Sequence, residues 1–205
     1  TLPRTWRMLQ AGSSFTLAIN ICTFLYAGIL IHRSRISNIN QLIDTTPIPN
    51  WVLLGSKFLA ILKMQLVLLS LIMITGLLFQ TYQGFYDYEI GHYIYELLVL
   101  NLIYFIIWAF LAFLVQTLIS NPYVGLFVMV VLLIGIPLTQ LAGIEQSIFK
   151  YSQGPGFSYS DMNGYGARLG PYFIYNFYWL CLGIIFYILT ALFYIRGLPN
   201  NLREK

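Results

Sequence analysis

The chain has 205 residues, 59% of them hydrophobic and 9% charged, against about 25% charged in an ordinary soluble domain. A soluble fold has too little interior to hide that much apolar surface, so composition excludes a water-soluble globular domain and points to a bilayer. The formal charge of +4 comes from eleven Lys and Arg residues scattered singly or in pairs, which excludes a basic face for nucleic acid.

In chain order, Thr1 to Ser13 lack the charged start and cleavable apolar stretch of a secretory signal. With no Met at position 1, the chain is expected to be a piece of a longer polypeptide. Apolar runs then read as spans at Phe15 to Ile31, Trp51 to Phe79, Tyr93 to Ile119, Tyr123 to Leu141 and Pro171 to Ile195, each long enough, at about 17 residues or more, to cross a bilayer. The second run is too long for one perpendicular helix and carries Lys57 and Lys63. Ile48 to Ala60 is therefore expected to lie partly in the interface, with the span proper from about residue 55. Cys22 and Cys181 fall inside apolar runs, where a thiol acts as a small hydrophobe.

Five crossings place the two ends on opposite sides. Seven basic residues (Arg33, Arg35, Lys57, Lys63, Arg196, Arg203, Lys205) share one side and four (Arg4, Arg7, Lys150, Arg168) the other, so the C-terminus is expected to be cytoplasmic. Between spans, Arg33 to Asn50 is polar and closes with Pro47 and Pro49, Ser120 to Pro122 forms a tight turn, and Ala142 to Gly170 is a glycine-rich outer segment. Its first part, around Ile144, Ile148 and Phe149, is expected to form a short amphipathic helix on the membrane. Tyrosines crowd the outer ends of the spans, Tyr82 to Tyr95 and Tyr165 to Tyr178, as an interfacial belt or an aromatic vestibule. The expected fold is an all-α polytopic bundle forming one domain over residues 1–205.

Motifs for chemistry are sparse. Glu89, His92 and Glu96 share a helical face and offer an alternative reading as a divalent-metal set in an intramembrane enzyme; a membrane scaffold with neither transport nor chemistry is the other alternative. The preferred reading is a polar helix start with both glutamates hydrated and no metal. No phosphate loop, EF-hand, nucleophile elbow or His-Glu-x-x-His motif occurs, so no catalytic residue is assigned. Asn101, Gln116, Gln140 and Asn176 are uncharged polar residues within spans, suited to helix contacts or to lining a pathway. With no Asp, Glu or Arg at a span centre, an ion-coupled pump is disfavoured.

The stretch RSRISNINQLIDTTPIPNWVLLGSKFLA, Arg33 to Ala60, resembles the elbow of type-2 ABC exporter permeases: a polar helix, a proline turn and a Gly-x-Lys start of the next span. Together with NPYVG (Asn121 to Gly125) and YSDMNGYG (Tyr159 to Gly166), it is similar to bacterial permeases fused to a gluzincin aminopeptidase-like domain. That family has six spans in its permease half, one more than read here, and no peptidase part occurs in this chain.

The resemblance implies a non-enzymatic transport subunit in a bacterial inner membrane. A cytoplasmic ABC ATPase dimer would carry ATP and Mg, a second permease half would complete the pathway, and this chain would hold no cofactor. Ile39, Leu42, Ile43, Asp44 and Thr45, with Pro47 and Pro49, would form the coupling helix against that ATPase. Lipids, peptides and hydrophobic drugs suit the neutral polar and aromatic lining equally.

Overall fold

In hydrocarbon a backbone can satisfy its own N–H and C=O groups only by coiling or by closing a barrel, and these apolar runs coil. The computed structural model describes residues 4–36, 48–138, 150–155, 159, 164–166 and 169–194. Among them every regular element is a helix. We number them α1 (Thr5–Gly12), α2 (Thr16–Ile36), α3 (Asn50–Tyr82), α4 (Ile90–Leu118), α5 (Pro122–Leu138) and α6 (Leu169–Phe193).

Among the described residues, four stretches are long and apolar enough to cross a membrane: α1 with α2, α3, α4 and α6. The fifth, α5, has 17 described residues, about 26 Å at 1.5 Å per residue. The chain is thus a membrane-embedded helical bundle. Its outward faces carry large apolar side chains such as Val67 (64% exposed), Leu78 (64%), Ile174 (70%) and Leu192 (74%), more than water tolerates and what lipid requires.

Helix α4 is the central post. Phe105, Ile107, Trp108, Ala109, Ala112, Phe113 and Gln116 are all buried, too closely spaced for one stripe, because α2, α3, α5 and α6 pack around it. Helix α3 instead buries a narrow line, Leu54, Ile61, Gln65 and Leu69, and leaves the rest of its circumference outward. Two apolar clusters result. One joins Phe24, Leu54, Trp108, Phe113 and Met129; the other joins Leu9, Leu69, Tyr93, Leu97 and Phe105.

Several expectations change. Helix α3 begins at Asn50 and runs unbroken for 33 residues, about 50 Å, so it starts before the span expected from about residue 55. Lys57 reaches Tyr194, with Nζ 3.3 Å from the hydroxyl and 5.1 Å from the ring centre, which lets the helix continue past the charge. Helix α2 extends to Ile36, beyond the expected end at Ile31. Helix α1 was not expected; Leu9 and Thr5 on one face are buried and dock it against α3. The amphipathic helix expected at Ile144 to Phe149 lies outside the described residues. Lys150, expected at the interface, is buried.

Candidate pocket at the loop end and the polar interior

The chain folds back on itself so that α1, the α3–α4 connection and the loop before α6 gather at one end, the loop end. The Ile119 to Asn121 turn, the start of α3 and the end of α6 gather at the other. The first part of α4, Ile94–Asn101, winds as a π-helix. In an α-helix, residues five apart stand about 140° apart around the axis; the wider i→i+5 winding brings them to one side. Glu96 and Asn101 are five apart, and both line the same cavity.

That cavity holds about 370 Å³, within the range of small-molecule pockets. Trp6, Gln10 and Ser13 close it from the N-terminal segment, Glu96 and Asn101 from the π turn, and Tyr159 from the loop. Behind it, Tyr165 donates its hydroxyl to Glu96 Oε2 at 3.1 Å. His92 Nδ1 lies 3.2 Å from that hydroxyl, and His92 Nε2 lies 3.4 Å from Glu96 Oε2. The rings of His92 and Tyr159 (4.1 Å between centres) and of Tyr159 and Tyr165 (5.2 Å) pack on one another. Burial, and then the Glu96 carboxylate beside it, push the Tyr165 hydroxyl above the ordinary tyrosine range, so it remains a donor to Glu96.

The sequence expectation for this region therefore changes in part. Glu89 is exposed at the helix start, as expected, whereas the Glu96 side chain is only 13% exposed and accepts a hydrogen bond from Tyr165. His92 and Glu96 come together without Glu89, and among the described residues no three His, Cys, Asp or Glu side chains gather as a metal set. The tyrosine belt also divides. Tyr82 (88%) and Tyr86 (70%) are exposed, whereas Tyr93 turns inward to donate to Gln80 Oε1 at 3.2 Å and Tyr172 donates to Leu100 O at 2.8 Å.

A second cavity of about 210 Å³ lies nearby, lined by Tyr104, Ser152, Gly154, Tyr175, Asn176 and Trp179. The loop is pinned there by Tyr151, which donates to Ile107 O at 2.6 Å and packs edge-on against Trp108 and Trp179. Of the residues expected to line a pathway, Asn101 and Asn176 each face one of these cavities. Gln116 faces neither: it is fully buried, donating to Phe24 O at 3.4 Å and Pro122 O at 3.3 Å. Gln140 lies outside the described residues, as do Ile39, Leu42, Ile43, Asp44, Thr45 and Pro47. Pro49 stands in extended conformation immediately before α3.

Between the ends, amides and hydroxyls pair across helices. Gln65 donates to Thr23 Oγ1 at 3.3 Å and Phe105 O at 3.1 Å, and Asn20 donates to Tyr104 Oη at 3.4 Å. The amide oxygens of Asn20, Gln65 and Gln116 are buried and have no hydrogen-bond partner among the described residues. Sequence reasoning missed the pocket because its parts come from positions 6, 96 and 159, and neither hydropathy nor helical spacing announces a π turn. No protein-family model matches the chain, and neither a curated protein nor a solved structure matches it significantly.

Proposed function

We propose that the chain is the membrane-spanning half, or a subunit, of an ATP-driven ABC exporter. It would sit in a bacterial inner membrane with its C-terminus cytoplasmic. A second permease half would complete the translocation pathway, and a separate cytoplasmic ATPase dimer would bind ATP and Mg, so the chain itself is a transport subunit and not an enzyme. The proposal takes its family from the resemblance of the Arg33 to Ala60 segment.

One structural observation carries it furthest: the construction of α3. The helix begins directly after Pro49 and continues for 33 residues without a break, so a push on the preceding elbow moves a rigid rod rather than a slack loop. Its base is tied to the end of α6. Asn50 Nδ2 lies 3.4 Å from Ala191 O and 3.2 Å from Tyr194 O, and the Tyr187 hydroxyl donates to Trp51 O. Force entering at the elbow therefore reaches two spans together.

The coupling residues supply the test. Leu42→Asp with Ile43→Asp should abolish recovery of an ATPase with the tagged chain while leaving the chain in the membrane fraction. Undiminished recovery of the ATPase would refute the coupling role.

A further inference from the structure

The 370 Å³ cavity at the loop end has a chemical character of its own. Of the described residues that line it, Glu96 alone is formally charged. Trp6 and Tyr159 supply aromatic walls, Leu9 an apolar floor, and Gln10, Ser13 and Asn101 neutral polar groups. A carboxylate sharing a cavity with aromatic rings favours a cation, because ring quadrupoles attract positive charge where they present their faces. Trp6 already behaves this way, with the Arg7 guanidinium carbon 5.2 Å from its ring centre.

The carboxylate is also held in place. Tyr165 and His92 both approach Oε2, which fixes the side chain's direction. The π winding places Glu96 and Asn101 on one wall, at the cost of the regular α-helical ladder, and such departures occur mostly where a side chain must be re-aimed. An uncharged apolar ligand would leave the carboxylate unmatched, and an anion would meet it at close range.

From this geometry we propose that the cavity is a binding site for an organic ammonium ion bearing a short apolar chain, with Glu96 as counter-ion and Trp6 and Tyr159 as cation–π walls. Tyr165 is a positioning residue that acts through Glu96. The ammonium belongs either to a free amine or to the headgroup of a lipid in the same leaflet. The inference concerns binding alone and stands whether or not the chain exports anything.

The test is calorimetric titration of the purified chain in nanodiscs with hexyltrimethylammonium and, as control, hexyl sulfate. In phosphatidylglycerol discs the cation should bind saturably and the anion should not. Glu96→Gln should weaken cation binding at least tenfold, and Trp6→Leu at least fivefold, while Trp6→Phe and Tyr159→Phe stay within threefold of the unaltered chain because the π face remains. If Glu96→Gln does not elute as a monodisperse species, the Trp6 pair decides: equal binding by Trp6→Phe and Trp6→Leu overturns the site. Equal binding of hexyl sulfate, or undiminished binding by a well-folded Glu96→Gln, overturns it as well. Replacing phosphatidylglycerol by phosphatidylcholine, with Glu96→Gln in each lipid subtracted as the blank for surface charge and the disc charge held equal with phosphatidic acid, separates the two sources. Weaker Glu96-dependent binding then marks the lipid headgroup as occupant, and unchanged binding marks a free amine.

Discussion

Gln116 shows how tightly single residues are fitted. Its amide is wedged between two helices at glycines: a Cβ on Gly28 would come within 2.9 Å of Gln116 Nε2, and one on Gly125 would land on Gln116 Oε1. Gly125→Ala should therefore cost about 1–3 kcal/mol through overpacking. Gln116→Asn, shorter by one methylene, should recover part of it, as a non-additive double-mutant cycle in detergent unfolding would reveal. Additive losses would mean the two residues do not meet. Tyr151 gives a second residue-scale prediction. Burial holds its hydroxyl above the usual tyrosine range, so above about pH 10 the unfolded chain loses a proton that the folded chain keeps. Its contribution is complete below that pH and declines as pH rises further. Tyr151→Phe should cost about 1 kcal/mol at neutral pH and flatten the alkaline fall in thermal stability; an unchanged alkaline slope would contradict this.

At the scale of elements, apolar run length revealed most of the helices, because backbone satisfaction in lipid leaves little choice once a run is long enough. Tyr93 to Ile119 and Pro171 to Ile195 correspond closely to α4 and α6. Where the reading slipped, a tertiary partner was responsible. Lys57 looked like an interruption in α3 until Tyr194 met it, and α1 has only Leu9 and Thr5 to bury, too few to form a detectable period. The tie between α3 and α6 is testable in the same way. Asn50→Ala with Tyr187→Phe removes the side-chain donors to Ala191, Tyr194 and Trp51. At about 0.6 kcal/mol per interhelical bond in a membrane, the pair should lower unfolding stability by about 1–2 kcal/mol, measured in mild detergent. No loss would mean that the two helix ends are independent.

For the whole molecule, composition alone specified the solvent, and the outward Val67, Leu78, Ile174 and Leu192 agree with it. Cys22 and Cys181 are both free and exposed on the protein surface, yet they sit inside spanning helices and so face lipid. A charged, impermeant maleimide should leave both unmodified in intact membranes and react with both after denaturation; rapid labelling of either in sealed vesicles would mean that its face meets water. The candidate site was far less legible than the bundle. Glu96 was visible as a polar residue, but its partners Tyr165 and Trp6 lie tens of residues away, and only the closed fold brings them near.

The i→i+5 stretch at Ile94–Asn101 is equivalent to one residue too many in an otherwise ordinary α-helix. Excising a single residue there would let the stretch rewind as α-helix while the helix on either side keeps its phase. Phe105, Trp108 and Phe113 after the cut, and Tyr93 and His92 before it, would then keep their seats. One deletion would thus smooth the wall of the rod without unseating either of its ends.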